Sequence, residues 1–141
     1  MGHLKLASMV GLTLGAAALL AACGQGGAQN ASAGPGLAAR SVNAGGVDIT
    51  ITPVRVDSTG AVFEVAFDTH SGDLTLDVAG VSELRVDGTT WGEASWSGDS
   101  PGGHHRKGEL RFRAGGPALG DVRLSIGGLP GPAEARWTLG S

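Results

Sequence analysis

The sequence predicts an all-β domain, an immunoglobulin-like two-sheet antiparallel sandwich of about seven or eight strands, with a small barrel as the alternative. Three observations carry this. Apolar and polar residues alternate with period two through much of the chain. Clusters of Gly, Asp, Ser and Pro interrupt the alternation every 8 to 12 residues, and no window shows helical periodicity. Val47, Ile49 and Ile51 alternate up to Pro53, after which Val54 and Val56 take the other parity, as at a bulge or on an edge strand. Ala61, Phe63, Val65 and Phe67 make the clearest strand. Leu74, Leu76 and Val78 suggest a third. Leu84 and Val86 run into the Asp87-Gly88 turn signal. Trp91 and Trp96 differ in parity, so one faces outward unless Gly92 marks a bulge. Leu110 and Phe112, then Val122, Leu124 and Ile126, then Ala135, Trp137 and Leu139 complete the set. Phe63, Phe67, Phe112 and Trp137 are the expected core aromatics, because so small a domain needs large buried side chains.

The 141 residues divide into three stretches. Residues 1–22 join a short cationic start to an apolar run from Leu6 to Ala22, the pattern of a secretory signal peptide; the competing reading is an uncleaved membrane-spanning helix at the short limit of length. Residues 23–45 are mostly Gly, Ala, Ser, Asn, Gln and Pro, too polar and small to repay ordering, and are expected to form a flexible linker. Residues 46–141 hold the β-domain. The single cysteine, Cys23, cannot form an internal disulfide.

Charge narrows the function classes. The formal net charge is −3, and nine basic against thirteen acidic residues remain once Lys5 is removed with the leader. That balance argues against nucleic-acid binding and against polybasic attraction as a membrane anchor.

Candidate chemistry centres on histidine. His70 follows Asp68-Thr69, and His104-His105-Arg106 follows the loop from Ser97 to Gly103. Imidazole nitrogen suits Cu and Zn, so His70 with His104 or His105 is a candidate metal or ligand site, supported by Asp68, Asp99 and Arg106. His104 and His105 would point to opposite faces of a strand, which favours one of them as a ligand. The competing role is structural, with the histidines bonded to loop backbone and Arg106 paired to Asp68 or Asp99. The two loops share one end of the fold only if the Leu74 to Val78 segment is a short excursion. A Gly98-Asp99-Ser100-Pro101-Gly102 match to the hydrolase nucleophile pattern lacks the required helix and carries a proline after the serine, so no catalysis is expected.

Leu20-Ala21-Ala22-Cys23 resembles the lipobox of bacterial lipoprotein precursors. The resemblance implies lipidation of Cys23, cleavage before it, and a mature protein held on the cell membrane or outer-membrane surface. The stretch Val65–Ser71, the Trp96-Ser97-Gly98 triplet and the run Gly102–Phe112 are similar to a family of uncharacterised secreted or lipid-anchored β-sandwich proteins. That similarity implies the fold and draws attention to the histidines without supplying an activity. The expected function is therefore a lipid-anchored envelope module that binds an envelope protein or small ligand, with Cu or Zn binding as the alternative.

Overall fold

The computed structural model describes residues 37–140; the expected signal peptide, Cys23 and most of the expected linker lie outside the described residues. Eight strands follow in chain order: β1 (Arg40–Asn43), β2 (Val47–Asp57), β3 (Gly60–Thr69), β4 (Ser82–Val86), β5 (Thr89–Gly98), β6 (His105–Arg113), β7 (Gly120–Ile126) and β8 (Ala133–Leu139). Every pairing is antiparallel. The all-β class is thus as the sequence predicts.

The strands run in one continuous order, β1-β2-β3-β6-β5-β4-β7-β8, with β5 shared between a β1-β2-β3-β6 side and a β4-β7-β8 side. β5 carries the sheet around a corner. Its first residues, Thr89 to Trp91, pair with β4, and the stretch from Gly92 to Gly98 pairs with β6, with a register shift between Gly92 and Ser95. Glu93 takes a left-handed φ of 48° inside that shift. The irregularity resets the side-chain parity, so Trp91 is buried and Trp96 also turns to the core side against Phe67, with ring centroids 6.3 Å apart. Neither tryptophan is left on the outer face.

The sheet nearly closes. At the seam between its edge strands, the Trp137 indole N–H donates to Ala38 O at 2.7 Å and Arg40 Nε donates to Arg136 O at 3.2 Å. Inside, Phe63 of β3 meets Trp137 of β8 at 5.5 Å and the edge of Phe112 of β6 at 6.3 Å. These rings join opposite walls through one filled core.

Two segments differ from expectation. β1 lies in what composition marks as linker, so the folded domain begins before residue 46. Leu37 and Ala44 are buried at its ends, and β1 forms a hairpin with β2 through Gly45 and Gly46, both at positive φ. Conversely, Leu74 to Val78 is not a strand. Leu74 and Val78 are buried as the alternation requires, but the backbone there pairs with a loop: Leu74 N–H donates to Gly103 O and Gly102 N–H to Leu74 O, each at 2.9 Å. The register shift at Pro53 is present, just past the last residue that β1 covers, Ile51.

Candidate functional site

The end of β3 and the start of β6 come together, with Asp68 and His105 as cross-strand partners. The short excursion of residues 70–81 makes this possible, because β3 pairs with β6 and not with the next strand in sequence. Asp68 and the ring Nδ1 of His105 are hydrogen-bonded on the surface, with both side chains more than half exposed. His70 and His104 are exposed in the adjoining loops, and the His104 carbonyl accepts the Thr69 N–H at 2.9 Å. Among the described residues, no group of three or more His, Cys, Asp or Glu side chains is placed to hold a metal ion. Asp68 engages a ring nitrogen of His105, while His70 and His104 are held on the two neighbouring loops.

Arg106 points the other way, into the barrel end, and is only 3% exposed. Its expected carboxylate partner is corrected by the geometry. Nε donates to the backbone carbonyl of Asp99 at 3.0 Å, and Nη1 donates to the carbonyls of Leu74 at 3.3 Å and Leu76 at 2.6 Å. The guanidinium carbon stands 5.4 Å from the Trp96 ring centroid, a cation–π contact, and the Trp96 N–H also donates to Asp99 O at 3.1 Å. The Asp99 carboxylate accepts the Lys107 N–H at 2.9 Å. Asp68 is taken by His105. Arg106 thus stitches two loops to the barrel through groups already engaged within the fold, while His105, one residue away, faces solvent.

A second feature escapes sequence reading. Arg85 on β4 is the cross-strand partner of Arg123 on β7, and Arg123 is the partner of Arg136 on β8. Arg40 on β1 continues the row across the seam through its bond to Arg136. Four of the nine basic residues beyond the leader therefore stand side by side over about 14 Å, taking about 4.8 Å per strand. They line an open groove of about 480 Å³ with Asp121, Trp137 and Thr138. Glu134 pairs with Arg136 at 2.6 Å and lies 3.7 Å from Arg123, and Glu83 pairs with Arg85 at 2.7 Å. The hydrogen bond from Arg136 is the main cause that holds the Glu134 carboxyl below the ordinary glutamate value, with the charges of Arg136 and Arg123 acting in the same direction. Only the strand register could have exposed this row, since its members are scattered from residue 40 to residue 136.

Family models, curated proteins and solved structures give no match to the chain. The functional reading rests on its own residues.

Proposed function

We propose that this protein is a lipid-anchored bacterial envelope module, exported by its leader, fixed to a membrane surface through Cys23, and acting by non-catalytic binding at its outer surface. The observation that carries the reading is Leu20-Ala21-Ala22-Cys23 at the end of an apolar run, which leaves the chain's only thiol at the start of the mature protein. One acyl chain holds a protein only reversibly, whereas two or three hold it firmly, so the β-domain would stay at the surface without crossing it. The barrel supports binding over catalysis in two ways. Its interior is filled by Phe63, Phe112, Trp91 and Trp137, so ligands meet the outer walls. The Arg106 guanidinium, the buried charge at the barrel end, spends its bonds on Asp99, Leu74 and Leu76.

The test is metabolic labelling with a palmitate analogue in a bacterial host, followed by membrane fractionation. The label should enter the wild-type chain, and Cys23→Ser should abolish labelling and release the mature domain from membranes. Equal labelling of Cys23→Ser, or equal retention of a fully processed variant, would overturn the anchor. Capture of an envelope component by the wild-type chain, and not by a heat-unfolded control, is the corresponding expectation for binding.

A further inference from the structure

We propose that the row Arg40–Arg136–Arg123–Arg85 docks the domain against the phosphate groups of an anionic membrane surface and so sets which face the domain turns to the lipid. The inference rests on the anchored reading above and adds an orientation to it. Its first support is an unfavourable arrangement that the fold retains. Like charges directly opposite across strands are destabilising, yet two such pairs, Arg85 with Arg123 and Arg123 with Arg136, follow one another here. Glu134 is shared between two of these arginines, Glu83 serves one, and Arg40 forms no ion pair among the described residues. The carboxylates Glu83 and Glu134 lie along one flank of the row, and Asp121, held by Thr138 Oγ1 at 3.2 Å, lies along the other. Asp87 stands beyond it in the β4–β5 turn. The cations therefore occupy the centre and the acids the rim, which suits short-range capture by guanidinium forks of a ligand brought close by other means.

The anchor supplies the closeness. Thirteen residues separate Cys23 from Leu37, and that length of chain can span at most about 50 Å. Arg40 follows Leu37 by three residues, so the row begins on the strand where the chain enters the fold. At that distance a weak attraction is enough, since the membrane is presented at high effective concentration. The opposite wall bears a like pair of the other sign, Glu64 of β3 against Glu109 of β6. The negative total of the mature chain argues against the row as the anchor, and since Glu109 is itself paired to Arg111, the direction comes from the row's place beside the tether.

Phenylglyoxal modification of arginines, read by mass spectrometry, tests this on the full chain reconstituted in phosphatidylcholine vesicles with and without 30% phosphatidylglycerol. With the anionic lipid, Arg40, Arg123 and Arg136 should react at least about fivefold more slowly than Arg111 and Arg113, an advantage that high salt removes. Arg123→Gln/Arg136→Gln should abolish most of the protection of Arg40 by lowering the docking equilibrium constant about 25-fold, taking about fivefold per arginine. Arg111→Gln/Arg113→Gln removes the same charge from another wall and should leave protection intact. Equal reactivity of the two sets, equal protection on neutral vesicles, or equal loss in both double variants would overturn the proposal. Retention on vesicles through a high-salt wash reads the anchor separately: a chain that washes off defeats the anchored reading, while the ratio of arginine reactivities on anionic vesicles still decides the row.

Discussion

Arg106 places a buried positive charge at the barrel end where its neighbours are three carbonyls and an indole face rather than a carboxylate. Hydrogen bonds from a charged donor contribute about 1.5–3 kcal/mol each, and leaving buried acceptors unmatched costs comparably. Overlap among the three reduces their sum. Arg106→Ala should therefore cost about 3–4 kcal/mol in urea unfolding, and Arg106→Lys should recover less than half, because an ammonium has no planar fork to span Asp99 and Leu76. A loss under 1 kcal/mol for the alanine variant would show that the loops are held by other contacts. Glu134 offers a titration at the same scale. Its folded-state pKa is depressed, first by the Arg136 hydrogen bond, so its contribution to stability is present above the ordinary value of 4.5 and is lost as pH falls through the folded value. The carboxyl carbon resonance of Glu134 should titrate below 4.5 and move back toward it in Arg136→Gln. An unshifted wild-type midpoint would contradict the pairing.

Among the elements, β1 shows where composition misleads. Arg-Ser-Val-Asn has a single half-buried apolar residue, so nothing in its own alternation marks a strand; its partner β2 and the burial of Leu37 and Ala44 decide it. A chain starting at Gly45 should lose roughly 4 kcal/mol against one starting at Gly36, from the Leu37 side chain and the bond to Trp137 Nε1. Thermal unfolding would then fall by roughly 15 °C or more. Equal melting of the two chains would return β1 to the linker. The corner in β5 makes the complementary prediction. Glu93 holds a left-handed conformation at an exposed site, and its ion pair with Arg113 is solvent-exposed and worth little. Glu93→Gly should be neutral or stabilising by up to about 1 kcal/mol, whereas Glu93→Val should cost about 1–2 kcal/mol. Strands such as β3 are legible from sequence because one-sided burial imposes period two on Ala61, Phe63, Val65 and Phe67. Leu74 to Val78 shows the same period without pairing as a strand, since burial alone creates the pattern. Asp68 and His105 stand out in sequence as residues, but their pairing does not, because two strands intervene in the chain between β3 and β6. The arginine row depends still more fully on strand order.

For the molecule as a whole, the question is whether the two walls joined by β5 unfold together. The pairing around the corner is irregular between Gly92 and Ser95, which would allow β1-β2-β3-β6 to separate from β4-β7-β8 if pairing alone held them. The core argues for one cooperative unit. Phe63 on one wall and Trp137 on the other are in ring contact, both are buried, and the Trp137 indole is tied back across the seam to Ala38. Phe63→Ala removes a fully buried aromatic and should cost about 3–5 kcal/mol, a large part of the 5–15 kcal/mol that a domain of this size usually has. The informative quantity is how that loss is distributed. If closure makes the barrel a single unit, amide hydrogen exchange should accelerate by a similar factor in β3 and in β7 and β8, although Phe63 belongs only to β3. Acceleration confined to β2, β3 and β6 would mean that the walls open independently and that the seam contributes little. A double-mutant cycle between Phe63→Ala and Trp137→Ala gives the pairwise part, expected at about 1 kcal/mol for two rings in tilted contact. Matching exchange in both walls together with that coupling would locate the barrel's cooperativity in its aromatic core, leaving the β1–β8 seam to hold the arginine row in register across the closure.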